Sequence, residues 1–289
     1  LSICCQYAEK DKRVRVINKP NGGLTSSRKA GAKIAKGEYV ICVDSDDYIE
    51  QGYFTCVARS LDEFNPDIVI LSHYSLEDNK KILYKDFVVQ GLLQDKEYEE
   101  VRNKFIYDPT DKNISNPGII SYSLWCKVVR REIYVKAQEL IDDKIVIGED
   151  MLCSLYCLQF AKSMICLNDS FYVYRILNNS MMHSYNVKKF EHFENTVKAL
   201  VESDIVDDHR ICAYSFHALC NEYAGIAKSV DSISEFRDKI KETQKFKLLY
   251  DMASRVDKSN CNLASRFKIW LVNNKKYDLM FWLLELKNR

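Results

Sequence analysis

Glu38-Tyr39-Val40-Ile41-Cys42-Val43-Asp44-Ser45-Asp46-Asp47 runs from an apolar, β-branched stretch directly into three carboxylates. The apolar part has the composition of a buried strand, and like charges gathered at its end call for a compensating cation. On an extended backbone Asp44 and Asp46 point the same way. Hard oxygen donors at alternate positions suit Mg²⁺ or Mn²⁺ and leave coordination positions for a diphosphate. A turn or a helix cap is the competing reading of such an Asp-x-Asp. An EF-hand loop is excluded, because its sixth position must be glycine and here is Ile49.

Outward from this stretch the chain alternates. An amphipathic segment opens at Leu1-Ser2-Ile3-Cys4-Cys5, followed by the β-branched run Val14-Arg15-Val16-Ile17 and a turn at Pro20-Asn21-Gly22-Gly23. A helical pattern from Leu24 to Ala35 leads into the Tyr39–Val43 strand. Gly52 to Phe64 reads as a further helix and Asp67 to Ser72 as a further buried strand, with a hairpin-like polar stretch to Phe87. This alternation predicts an α/β fold with a mostly parallel sheet flanked by helices. Glu149-Asp150 opens another helical run, where acids are favoured by the helix dipole alone. Ile165–Leu167 and Phe171–Arg175 read as a last pair of strand segments, and beyond Val187 the pattern is almost wholly helical. The expected division is therefore a core at 1–186 and a C-terminal helical region at 187–289.

Size and composition narrow the class. At 289 residues, 47% hydrophobic and 29% charged, the chain is long enough to bury a large core and has ordinary globular composition. A formal net charge of +1 gives no general electrostatic attraction to nucleic acid. The 11 cysteines lie in apolar segments as small buried hydrophobes, without the Cys-x-x-Cys spacing of zinc sites, which suits a reducing cytoplasm. No apolar run reaches the roughly 20 residues that span a bilayer. The opening residues read as the middle of a helix, so an N-terminally cut chain is expected.

Taken in order, Asn21-Gly22-Gly23, Ser27-Arg28, Gly31, Ala35-Lys36-Gly37-Glu38-Tyr39 and Asp44-Ser45-Asp46-Asp47 resemble the nucleotide-sugar half of family 2 glycosyltransferases of the GT-A fold. Leu124-Trp125-Cys126-Lys127, Gly148-Glu149-Asp150-Met151, and Tyr172-Val173-Tyr174-Arg175 with Ser180 extend the likeness to about residue 185. The resemblance implies a transferase that moves a sugar from a nucleotide-diphosphate donor to a glycan or lipid-linked glycan hydroxyl, in cell-surface polysaccharide biosynthesis. It also implies that the first strands of the fold lie upstream.

Carried over by position, Asp46 would bind a divalent metal and Asp44 the ribose or metal shell, with Asp47 in support. Arg28 would reach the nucleotide, with Lys29 standing where the family often has asparagine. Asn21, Gly22 and Gly23 would let the backbone pass close to the donor. Asp150 would be the general base, with Glu149 orienting the acceptor or capping the helix, and one base without a nucleophile implies inversion. His183 would complete the metal or diphosphate contacts. Trp125 and Lys127 would line the acceptor side. The aromatic and basic tail segments, Phe267–Leu271 and Leu279–Leu284 with Lys275, Lys276, Lys287 and Arg289, suit either packing on the core or peripheral contact with the inner face of a membrane. A noncatalytic carbohydrate-binding or assembly subunit, or a nucleotidyltransferase with a glycine-rich basic loop near its first strand, are the alternative functions.

Overall fold

The computed structural model describes residues 1–108, 110–114, 118–176 and 185–288. Helix α1 (Ser2–Lys10) and helix α2 (Gly23–Ile34) precede strand β1 (Tyr39–Ile41) and the short strand β2 (Tyr48–Ile49). Helix α3 (Tyr53–Phe64) then leads to β3 (Ile68–Glu77), β4 (Lys80–Tyr84) and β5 (Gly91–Gln94), followed by helix α4 (Asp95–Asn103). Strand β6 (Lys127–Arg130), helices α5 (Arg131–Glu139) and α6 (Glu149–Phe160), and strand β7 (Ser163–Arg175) complete the sheet layer.

The sheet is mixed. Its order is β1-β6-β3-β7-β2, with β4 beside β3 and β5 beside β7. Strands β3 and β7 pair in parallel, while β6 lies antiparallel between β1 and β3. Strands β1, β3 and β7 therefore share one direction, as in the expected α/β framework, but the expectation of a mostly parallel sheet is corrected: only β3 and β7 pair in parallel, and the other five pairings among the described residues are antiparallel, because β6 inserts between β1 and β3 and the short strands β2, β4 and β5 add reversed neighbours. Two local expectations are corrected. The last two strand segments are one continuous strand, because β7 pairs with β3 from Met164 through Arg175 across a bulge near Ser72. Val14–Ile17 forms no strand: these side chains are partly exposed and, among the described residues, no strand pairs with them, and β propensity without a partner does not make a sheet.

Alternation along β3 divides the core. Val69 and Leu71 face a cluster with Tyr53 and Val57 of α3, whereas Ile68 and Ile70 join a larger cluster with α5 and α6. The six helices α7 (Lys188–Ser203), α8 (Asp208–Lys228), α9 (Ile233–Thr243), α10 (Lys247–Ser254), α11 (Leu263–Asn273) and α12 (Tyr277–Asn288) belong to that larger cluster through residues such as Phe190, Leu200, Phe216 and Phe281. Asp207, Ser232 and Asn262 cap three of them by accepting backbone N–H groups at 2.9, 3.2 and 2.8 Å. The tail's aromatic segments are split by face: Ile269, Leu271, Met280 and Phe281 are buried, while Phe267, Trp270 and Trp282 remain exposed. Among the described residues no helix is long and apolar enough to cross a membrane.

Candidate active site

The acidic stretch becomes a loop over residues 42–47. It leaves β1 at one edge of the sheet and enters β2 at the other, so it crosses the sheet at the carboxyl end of β1. Open α/β sheets bind ligands outside such ends. A turn closed by the Asp47 N–H donating to the Asp44 carbonyl at 3.1 Å shapes the loop.

Strand β7 holds the loop from beneath. The Tyr172 hydroxyl donates to Asp47 Oδ2 at 2.7 Å and accepts from the Asp44 N–H at 3.1 Å. The Arg175 N–H donates to Asp47 Oδ1 at 2.9 Å, and the Arg175 guanidinium donates to the Asp46 carbonyl. Both Asp47 oxygens are thus engaged, and burial lifts its pKa despite these donors. Asp46, by contrast, is exposed.

Arg28 joins this loop to the second acidic motif. Its side chain is only 9% exposed, with Nη1 3.2 Å from Glu149 Oε1 and Nη2 3.5 Å from Asp44 Oδ1. A helix arginine in solvent would show neither feature. Helix α2 is anchored where Arg28 needs it: the Thr25 hydroxyl donates to the Ile145 carbonyl at 3.0 Å, and the Lys29 ammonium contacts Asp143 at 2.6 Å and the Ile141 carbonyl. Lys29 therefore fastens α2 to the loop before Glu149.

Glu149 and Asp150 begin α6 after Gly148, whose φ of +83° is a left-handed conformation suited to glycine. Burial first, then the nearby Asp150, pushes the Glu149 carboxyl up to about 7. Asp150 also rises through burial, opposed by Arg28, by the Met151 N–H donating at 2.9 Å and by the charge of Lys127. Two carboxyl groups raised toward neutrality beside one buried guanidinium can hold and exchange a proton.

The remaining expected residues are placed differently from one another. Trp125 is buried and stacks on Tyr172 and Tyr174 at ring-centroid distances of 4.8 and 5.7 Å. Lys127 is buried, and its ammonium donates to the carbonyls of Ser121 and Ser123 at 2.6 Å each, so it supports Asp150 from below and has no open face for an acceptor. Asn21, Gly22 and Gly23 form an exposed turn in which Asn21 Oδ1 accepts from the Gly23 N–H at 3.1 Å. His183 lies outside the described residues. Tyr172 and Arg175 carry roles that their sequence did not announce; the alternation of Tyr172 and Tyr174 in β7 was the available signal.

The donor set fits a divalent cation in one mode. Among the described residues no group of three or more His, Cys, Asp or Glu side chains could hold an ion unaided. One or two carboxylates completed by substrate phosphates and water is, however, the common arrangement for Mg²⁺, and exposed Asp46 offers that arrangement, with Asp44 in the same turn, which replaces the extended backbone on which the two would point the same way.

Comparison with known proteins finds glycosyltransferases. Residues 1–136 match the family model described as Glycosyl transferase family 2. The chain is 30% identical over 200 residues to the uncharacterized glycosyltransferase EpsJ of Bacillus subtilis, covering 69% of this chain and 56% of that protein. It is 29% identical over 187 residues to the glycosyltransferase GlyA of Streptococcus pneumoniae, covering 64% of this chain and 26% of GlyA. The chain thus spans from about a quarter to somewhat over half of these curated relatives. Crystal structures of S. aureus TarS 1–349, alone and in complex with UDP-GlcNAc, share the fold at TM-scores of 0.63 and 0.61, with 16% and 17% identity, each covering 98% of this chain and 78% of the TarS chain.

Proposed function

The chain belongs to glycosyltransferase family 2, and on that premise we propose that it is a metal-dependent, inverting transferase of a sugar from a nucleotide-diphosphate donor to a glycan or lipid-linked glycan hydroxyl. The observation that carries this reading is the Arg28 bridge, which brings the Asp44 loop against Glu149, 121 residues further along the chain from Arg28. A donor wall and a base wall are thereby joined by one buried cation.

Asp46, with Asp44, would hold a divalent cation, which when bound stabilises charge on the departing diphosphate. The protein's own part is orientation and proton transfer. Asp150 accepts the proton of the acceptor hydroxyl as that oxygen bonds to the anomeric carbon. The bond from that carbon to the diphosphate oxygen breaks on the opposite side, and its electron pair leaves with the diphosphate. Arg28 holds Glu149 and Asp44 near each other by pairing with both and offsetting their repulsion, and burial raises the basicity of Asp150. The exposed Trp270 and Trp282, with Lys275 and Lys276 near them, support peripheral contact with the cytoplasmic face of a membrane, where a lipid-linked acceptor would be met.

The test is Mn²⁺-dependent binding and turnover of a panel of nucleotide sugars by the wild type and by Asp150→Asn. Retained donor binding with transfer lowered about 10²- to 10⁴-fold is expected. A wild type that binds no donor with metal overturns the enzyme reading in favour of a carbohydrate-binding subunit. A fully active variant overturns only the base assignment, and release of inorganic pyrophosphate would show nucleotidyl transfer instead.

A further inference from the structure

A second polar centre beside the acidic one has no part in the chemistry above. His73 Nδ1 lies 2.6 Å from Asp86 Oδ2, Asp86 is buried, and His73 Nε2 is 3.3 Å from Ser75 Oγ. With Tyr84, Lys85, Ser121 and Ser123, this pair lines a cavity of about 420 Å³, within the range of small-ligand clefts of about 300–1,000 Å³.

The sheet register connects this cavity to the site. His73 on β3 stands directly between Tyr84 on β4 and Tyr172 on β7, so three rings form one row across the sheet. The Tyr84 ring stacks on His73 at 5.5 Å, and Trp125 meets His73 edge-on at 4.5 Å while covering Tyr172. At its end of the row, Tyr172 holds the acidic loop. The opposite wall, residues 118–123, supplies the carbonyls that hold Lys127 and is tied to α6 by the Ser154 hydroxyl donating to the Tyr122 carbonyl at 3.0 Å. The cavity thus adjoins the wall that carries Asp150.

We propose that this cavity binds a sugar ring of the acceptor, next to the residue whose hydroxyl Asp150 deprotonates; the assignment rests on the transferase reading above. A pyranose presents hydroxyls that the imidazole–carboxylate pair and the serines can bond, and a C–H face that the half-exposed Tyr84 ring can cover. One buried carboxylate and one exposed lysine leave the lining near neutral, which suits an uncharged ring and disfavours a diphosphate.

Tyr84→Ala and Asp86→Asn test this, since Tyr84 is 46% exposed and asparagine keeps the shape of Asp86. Saturation-transfer NMR is run with the methyl glycosides of glucose, galactose, N-acetylglucosamine and N-acetylgalactosamine, and calorimetry with nucleoside diphosphates and Mn²⁺. At least one glycoside should bind the wild type, and its signal should fall about fivefold or more in both variants, with diphosphate affinity unchanged and no competition between the two ligands. Absence of any glycoside signal, an undiminished signal in either variant, or displacement by the diphosphate overturns the subsite. Loss of diphosphate binding by the wild type would instead overturn the transferase reading.

Discussion

At the residue scale, Glu149 is the most informative side chain. Its pKa is raised from an ordinary 4.5 to about 7, so the folded protein holds that proton more tightly than the unfolded chain. The stability this confers is fully present below pH 4.5 and is lost as pH rises to about 7. Glu149→Gln keeps an oxygen for Arg28 and removes the titration. Its urea midpoint, measured across that pH range, should fall less than that of the wild type, and the variant should be the more stable protein at neutral pH. Parallel curves for the two proteins would show that the Glu149 proton is not linked to folding. The same burial that makes Glu149 costly raises Asp150, and a base with a pKa nearer neutrality removes a hydroxyl proton more effectively.

At the element scale, the left-handed turn before α6 decides where both carboxyl groups stand. A Cβ on Gly148 would lie 2.8 Å from Thr196 Cγ2 on α7 and 3.1 Å from the Tyr214 hydroxyl on α8, while the Thr196 hydroxyl donates to the Ile147 carbonyl. Gly148→Ala should therefore cost about 2 kcal/mol or more in a urea titration, through strain at positive φ and overpacking. A displaced α6 start should also lower transfer by on the order of 10²-fold with donor binding kept; unchanged turnover would show that the helices behind the turn do not position the base. Elements also mark where the sequence was readable. Asp44–Asp47, Arg28 and Glu149-Asp150 were legible because each is a short motif at the end of a strand or the start of a helix. The role of Tyr172 was not, because it depends on β7 pairing with β2 and β3, and registers between distant segments leave little trace in local pattern. The His73–Asp86 pair was hidden for the same reason, since it takes shape at the open end of the β3–β4 hairpin, where the chain leaves β4 beside His73. Lys127 misled in the opposite direction: a lysine beside a tryptophan suggests a binding surface, yet the fold buries the whole run 124–129.

At the scale of the whole molecule, the helical region from α7 onward does more than cover the sheet layer. The Arg210 guanidinium donates to the Asn103 carbonyl at 2.9 Å, the Ser265 hydroxyl accepts from the Ile114 N–H at 3.2 Å, and the Asn262 N–H donates to the Lys112 carbonyl at 2.9 Å. One apolar cluster runs from Ile68 and Ile70 to Phe281. Each large side chain fully buried there contributes about 1.5–3 kcal/mol, so a handful of contacts across residue 186 equals the whole net stability of an ordinary domain, about 5–15 kcal/mol. We therefore expect urea unfolding followed by far-ultraviolet circular dichroism, which weights the tail helices, to coincide with unfolding followed by tryptophan fluorescence, which includes buried Trp125. Fluorescence of a variant with Trp270 and Trp282 changed to Phe isolates the sheet layer. A fragment ending at residue 186 should lose its cooperative transition, because Thr196 and Tyr214 no longer brace Gly148 and the inner face of the sheet layer is left uncovered. Two separated transitions, or a fragment that folds and binds nucleotide sugar, would instead make 187–289 an independent domain and leave the base to be positioned by α2 and the sheet alone.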